Sequence, residues 1–132
     1  MEHHPRDSRP ARKGEAGYFT GDVTIRPLIK AEAPARVQQA LVTFAPGART
    51  HWHTHPLGQS LFVVAGRGLV QVAGQPKREI AEGDVVWFPP GERHWHGARP
   101  DAEMTHLATQ EARDCKTADW AEAVSDADYA SG

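Results

Sequence analysis

Short apolar or alternating segments, separated by glycine and proline, make up most of the chain from Tyr18 onward. Val37–Phe44 ends at the turn Ala45-Pro46-Gly47, and Val85–Phe88 ends at Pro89-Pro90-Gly91. The other segments of this kind are residues 60–65, 69–73, 78–81, 94–98 and 104–110. Short strands with regular turn signals predict an all-β sandwich or barrel, and the lack of alternating helical segments argues against a parallel α/β sheet.

Two local signals refine this prediction. Gly66-Arg67-Gly68 stands between two strand segments and predicts a hairpin turn. Near the C-terminus, Thr117 is a candidate N-cap and Asp119 lies in the first turn of a candidate helix. The apolar residues spaced to share one face of that helix are Trp120, Ala123, Val124 and Ala127. We therefore expect one C-terminal helix that packs on the barrel or on a partner subunit.

The segment before this pattern is polar and basic, with Arg6, Arg9, Arg12 and Lys13 among its residues. It predicts a flexible tail over residues 1–17, followed by one domain over 18–132. A domain of this length can bury a core without covalent cross-links. The segment lacks the apolar region of a secretory signal, and the chain has no apolar run approaching about 20 residues, so we expect no membrane span.

Composition excludes several classes of partner and site. The 132 residues carry 15 basic and 17 acidic side chains, a net charge of −2 that gives no sign of nucleic-acid binding. A single cysteine, Cys115, excludes an internal disulfide framework and favours a reducing, cytoplasmic setting. The unusual feature is histidine, because five of the eight histidines fall in two clusters, at residues 51–55 and 94–96.

Strand alternation brings part of these clusters together. Side chains two residues apart on a strand point to the same side, so His53 and His55 share a face. Gln59 can return to that side after the bend at residues 56–58, and His94 arrives from the start of another strand. Neutral imidazole is the commonest metal ligand in proteins, so His53, His55, Gln59 and His94 predict a metal site. By the same alternation His96 shares the face of His94.

The spacing of these residues resembles the cupin superfamily. Residues 47–66, GARTHWHTHPLGQSLFVVAG, fit the first cupin motif, with Gln59 in the place of the usual glutamate. Residues 83–94, GDVVWFPPGERH, fit the second motif and end at His94, whereas the asparagine that often follows the last histidine is Ala98 here. The resemblance implies a single-domain cupin fold, a double-stranded β-helix or jelly-roll barrel.

The resemblance extends to the small bacterial cupins that act as manganese-dependent hydroxynitrile lyases, the (R)-mandelonitrile lyase-like group. The matching stretches include TFAPGART, HTHPLGQ, GDVVWFPPGERHWHG and MTHLATQE. This resemblance implies that His53, His55, Gln59 and His94 bind manganese and that His106 is the general base. It places Ala40, Val42, His96 and Gln110 around the substrate pocket, and it implies a homo-dimer or homo-tetramer.

The residues themselves leave the metal and the reaction open. A set of three histidines and a glutamine is neutral, which would leave a bound dication its full charge as a Lewis acid. In the reaction that the resemblance implies, His106 would take the cyanohydrin proton, His96 or His106 would return a proton to cyanide, and Gln110 would orient the nitrile or the carbonyl. Imidazole also suits iron, nickel, copper and zinc. Because cupins host many chemistries, an iron- or manganese-dependent oxygenase or isomerase and a non-catalytic small-molecule-binding module remain alternatives.

Overall fold

The computed structural model describes residues 1–131, which form twelve strands and one short helix. The longer strands are β3 (Val23–Lys30), β4 (Val37–Phe44), β7 (Gln59–Val72), β8 (Arg78–Ala81), β9 (Val85–Phe88), β10 (His94–Ala98) and β11 (Met104–Glu111). The two-residue strands are β1 (Arg12–Lys13), β2 (Phe19–Thr20), β5 (Arg49–Thr50), β6 (His53–Thr54) and β12 (Asp119–Trp120). The helix, α1, spans Asp126–Ala130.

The strands form one antiparallel sheet that curls into a barrel. Its main path runs β1-β3-β4-β11-β7-β10-β5-β2, while β8 and β9 pair with β7 and β6 pairs with β10 and β12. Strand β7 belongs to both walls, because its first half pairs with β9 and β11 and its second half pairs with β8 and β10. The all-β barrel predicted from the sequence is confirmed.

The predicted hairpin at Gly66-Arg67-Gly68 is wrong, because β7 continues through it. Gly66 has a φ of +80°, and a Cβ at this position would lie 1.9 Å from the carbonyl oxygen of Glu103. Gly68 lies against the sulfur of Met104 in the same way. The glycines therefore let the chain at the start of β11 approach closely and bend β7 between the two walls, without ending it.

The C-terminal helix exists but begins later than the sequence predicts. Residues Asp119–Trp120 are extended and pair with β6, Trp120 opposite His53. The helix is capped by Ser125, whose hydroxyl accepts a hydrogen bond from the backbone N–H of Asp128. Thr117 is therefore not an N-cap, because the segment after it satisfies its backbone by pairing with a strand edge. Tyr129 anchors the helix on the barrel through a hydrogen bond from its hydroxyl to the Ala98 carbonyl.

The N-terminal segment also contacts the sheet. Strand β1 pairs with β3, Arg12 opposite Ile25 and Lys13 opposite Thr24. The boundary at residue 17 between a tail and the folded domain stays a prediction. Within residues 1–131, no helix is long and apolar enough to cross a membrane.

Alternation along the strands separates two apolar clusters. The larger fills the barrel interior and includes Phe44, Leu61, Phe88 and Met104. The smaller, Trp95 with Val124 and Tyr129, lies where β10 meets the C-terminal segment. Because Trp95 points to this second cluster, its neighbours His94 and His96 face the barrel interior, where burying polar groups requires partners.

Candidate metal centre

A cavity of about 150 Å³ lies inside the barrel. Its apolar lining includes Phe19, Ile25, Ala40, Val42, Phe44 and Ala108. Its polar lining includes His53, His55, Gln59, His96, His106 and Gln110. The alanines leave the space open because they fill little volume at positions where a larger side chain would enter the cavity.

Histidines from both sequence clusters meet at this cavity. His53 stands opposite His94 in the β6–β10 pair, and their ring centroids are 4.3 Å apart. The His55 ring lies 4.9 Å from that of His53 and 5.5 Å from that of His94. His94 lies behind the lining, stacked at 3.6 Å on the ring of Phe88. The structure thus brings all three imidazoles together: alternation predicts the shared face of His53 and His55, and the pairing of β6 with β10 adds His94.

Each of these imidazoles is oriented through its Nδ1 atom, which donates to a backbone carbonyl. His53 donates to His51 at 2.8 Å and His94 donates to Glu92 at 2.9 Å, so both partners lie two residues earlier in the chain. His55 donates instead to the distant Thr117 at 2.6 Å. A fixed Nδ1 proton leaves Nε2 as the lone-pair atom, which is the arrangement that holds metal-binding histidines in proteins.

Gln59 is oriented by a second amide. Its Nε2 donates to Oε1 of Gln110 at 3.1 Å, and Gln110 Nε2 donates to the carbonyl of Gln38 at 3.3 Å. These two hydrogen bonds orient the Gln59 amide and leave its Oε1 without a hydrogen-bond donor among residues 1–131. Gln110, predicted to orient the nitrile or the carbonyl of the substrate, therefore also positions Gln59.

The buried polar atoms without a partner among residues 1–131 identify what the centre can bind. They include Nε2 of His55, Nε2 of His94 and Oε1 of Gln59. Buried lone pairs without donors are costly, so a cluster of them fits a bound cation. Imidazole nitrogen and amide oxygen together fit a divalent metal of the manganese-to-zinc series, and these residues could hold one.

His96 is a further candidate ligand that the motif did not indicate. The ligand atoms of His53, His94 and His96 lie within 4.8 Å of one another. However, His96 Nδ1 lies 3.0 Å from His106 Nε2, so one nitrogen of His96 is engaged with a second imidazole. Alternation places His96 on the face of His94, but the contact with His106 follows only from the packing of β10 and β11 against the same cavity.

Burial keeps this histidine cluster neutral. Desolvation lowers the pKa of His94 to about 3 and that of His106 to about 4. The pKa values of His53, His55 and His96 are also lowered, first by burial, with repulsion from neighbouring imidazoles adding to it for His53 and His96. Neutral imidazoles are the form that binds metals, so these side chains are ready to coordinate at neutral pH.

The segment that leads into β12 closes one side of the centre. Thr117, Ala118 and Trp120 line the cavity, and the Trp120 indole stacks on the His53 ring at 4.5 Å. The same segment supplies the carbonyl that orients His55. It follows that the geometry of two predicted ligands depends on a segment outside both sequence motifs.

Comparison with known proteins shows which families and proteins this chain is similar to. A family model described as the cupin domain matches residues 40–109. A protein named (R)-mandelonitrile lyase, from Granulicella tundricola, is 58% identical over 122 residues, which are 92% of this chain and 93% of that protein.

Solved structures agree with this match. A cupin-like protein from Thermotoga maritima has a TM-score of 0.85 and 42% identity, with 89% of each chain covered. The polyketide cyclase RemF from Streptomyces resistomycificus has a TM-score of 0.76 at 21% identity, covering 98% of this chain and 90% of that one. The second likeness shows a shared fold only.

Proposed function

The chain belongs to the cupin family, and we propose that it is a metal-dependent hydroxynitrile lyase that cleaves cyanohydrins to an aldehyde and cyanide, or forms them in reverse. One observation carries this proposal. The His96–His106 pair opens on the same cavity as His55 Nε2 and Gln59 Oε1, which have no hydrogen-bond partner among residues 1–131. The relative named (R)-mandelonitrile lyase supports the same reaction.

We propose His53, His55, Gln59 and His94 as the metal ligands. When bound, a divalent metal would supply a Lewis acid that lowers the pKa of a cyanohydrin hydroxyl group. The neutral ligand set would not offset the charge of that cation. By the resemblance we propose manganese, with iron, nickel and zinc as the metals to test against it.

His96 and His106, the two histidines outside the proposed ligand set, can move both protons of the reaction. When His106 Nε2 donates to His96 Nδ1, His106 Nδ1 holds a free lone pair and His96 Nε2 carries a proton. His106 Nδ1 accepts the hydroxyl proton while the bond between the carbinol carbon and the nitrile carbon breaks, and the bonding electrons leave with cyanide. One proton crosses the hydrogen bond to His96, and the Nε2 proton of His96 passes to cyanide. The pair then holds the opposite tautomers and reverts by proton exchange with solvent.

The cavity suits a substrate with a ring. An apolar cavity of about 150 Å³ in a protein core can bind benzene, and this cavity has about that volume. Ala40, Val42 and Ala108 form an apolar wall of the cavity beside His106, which pairs with Val42. We propose that this wall holds the side group of the cyanohydrin while Gln110 orients the nitrile.

We also propose a cytoplasmic homo-dimer or homo-tetramer. Phe62, Val64, Val85 and Trp87 are exposed on the outer face of β7 and β9, where Phe62 pairs with Val85. These four side chains are uncharged, so two copies of the chain could pack through them without like-charge repulsion. Light scattering on the wild type and on Trp87→Arg tests this, with a lower mass expected for the variant.

Cyanide release from mandelonitrile tests the reaction, after the metal content of each sample has been measured. The manganese-loaded wild type should release cyanide. His106→Ala should keep its metal and lose roughly a hundredfold or more in kcat, as removal of a general base does. His53→Ala should lose the metal, whereas Thr105→Ala, on the outer face of β11, should behave as wild type. Absence of cyanide release from the manganese-loaded wild type would refute the proposal, and oxygen uptake with a diketone would favour an oxygenase.

A further inference from the structure

A second cavity, of about 410 Å³, adjoins the metal centre at the mouth of the barrel. The residues that line both cavities are Ile25, Ala40, Gln110 and Thr117. Three cations, Arg9, Arg12 and Lys30, also line the mouth cavity, and its lining among residues 1–131 contains no aspartate or glutamate. A ligand that reaches the metal centre through this cavity therefore meets positive charge only.

Lys30 stands at one end of a row of side chains that leads to the metal centre. The backbone register pairs Lys30 with Gln38, Gln38 with Gln110, and Gln110 with Gln59. Directly opposed residues on antiparallel strands point to the same face of a sheet. Because Gln59 and Gln110 face the interior, Lys30 shares that inner face.

Arg12 ends a second row of the same kind. It pairs with Ile25, which pairs with Val42, which in turn pairs with His106. Ile25, Val42 and His106 all line the inner cavity, so Arg12 also stands on the inner face. Its neighbour Lys13 pairs with Thr24 and, by alternation, stands on the outer face.

Arg12 and Lys30 have no anionic partner in the part of the chain that the structure describes. Within residues 1–131, neither Arg12 nor Lys30 forms an ion pair, although four other basic side chains and His4 do. The polar side chains behind them, Gln38, Gln110 and Gln59, are amides and bring no negative charge. Among the described residues, therefore, no acidic side chain that lines the mouth cavity compensates its positive charge.

We propose that the mouth cavity is a carboxylate-binding subsite, in which Arg12 and Lys30 hold the anionic end of a substrate whose carbonyl or carbinol group lies at the metal centre. The guanidinium fork of Arg12 matches a planar carboxylate, and Lys30 adds a second charge from another strand. This subsite rests on the proposed function, since it places the second end of the same substrate.

Two aldehydes of equal shape and different charge test the subsite. We would titrate the manganese-loaded protein calorimetrically with 4-carboxybenzaldehyde and with 4-carbamoylbenzaldehyde, without cyanide, so that no turnover is needed. An ion pair at an exposed site changes affinity by roughly two- to fivefold, so two such pairs should favour the carboxylate by about tenfold. The preference should shrink between 20 mM and 500 mM salt, because both cations are exposed to solvent.

The decisive comparison is between the double variant Arg12→Gln/Lys30→Gln and the control Lys13→Gln. The control removes one charge from the outer face of β1, the strand that carries Arg12. The double variant, which keeps Arg9, should lose most of the preference for the carboxylate and keep the wild-type affinity for the carbamoyl compound, whereas Lys13→Gln should keep the preference. Equal binding of the two aldehydes by the wild type, no measurable binding of either, or an undiminished preference in the double variant would overturn the subsite.

Turnover of the matching cyanohydrins separates this proposal from the lyase proposal. Preferential binding of the carboxylate without cyanide release would support the subsite and refute the lyase. Cyanide release with equal kcat/KM for the carboxylate and carbamoyl cyanohydrins would support the lyase and refute the subsite.

Discussion

The metal-free protein should lose stability steeply as the pH falls below 6.5. Burial lowers the pKa of His106 to about 4 and that of His94 to about 3, and it lowers the pKa values of His53, His55 and His96 as well. In the unfolded chain all five titrate near pH 6.5. Below that pH the unfolded chain binds protons that the folded chain does not, so the free energy of unfolding falls with falling pH.

The size of the effect can be worked out for His94 and His106, whose pKa values burial lowers to about 3 and about 4. The contribution of each neutral histidine to the free energy of unfolding is complete above pH 6.5. It is lost as the pH falls toward the folded-state pKa, about 4 for His106 and about 3 for His94. One pH unit below 6.5, each such histidine lowers the free energy of unfolding by about 1.4 kcal/mol. His94 and His106 together should therefore account for about 3 kcal/mol at pH 5.5, a large part of the 5–15 kcal/mol that typically stabilises a domain.

Urea unfolding followed by tryptophan fluorescence at pH 7.5 and pH 5.5 measures this difference, and the chain has four tryptophans. His106→Gln should reduce the difference by about 1.4 kcal/mol, because it removes one of the titrating groups. Leu107→Ala, a neighbour on the other face of β11, should lower stability equally at both pH values. A wild-type difference below 1 kcal/mol, or an unchanged difference in His106→Gln, would refute the reasoning.

Three further predictions concern single side chains. Cys115 has a φ of +64° in a tight turn, a backbone conformation that disfavours residues with a Cβ atom. Cys115→Gly should therefore raise the free energy of unfolding by about 1 kcal/mol in urea titrations, and an unchanged or lower value would contradict this. Metal analysis after dialysis should show less metal in His55→Ala than in His96→Ala, and the reverse order would make His96 the ligand. Gln110→Leu removes the acceptor that orients Gln59, so competition with a chelator should show metal affinity lowered roughly tenfold or more, and wild-type affinity would exclude that role.

Much of the fold and of the site could be predicted because strand alternation is a local property. The spacing of His53 and His55, and of His94 and His96, determines which side chains share a face wherever the strand lies. The turn residues between short apolar segments likewise indicate a β-barrel before any strand is paired. The predicted hairpin at Gly66 fails because a glycine that bends a strand and a glycine that ends one look alike in sequence, and only the approach of Glu103 distinguishes them.

Tertiary structure alone decided which side chains touch across the barrel. Thr117 orients His55 across a separation of 62 residues, and Gln110 orients Gln59 across 51. Such contacts depend on strand register and on where the C-terminal segment lies, and neither is encoded in a periodicity of two. The sequence by itself therefore determined which residues could enter the metal centre, because alternation sets the face of each side chain. The packing of distant strands decided which nitrogen and oxygen atoms remain free there, because hydrogen bonding selects them only once the backbone is folded.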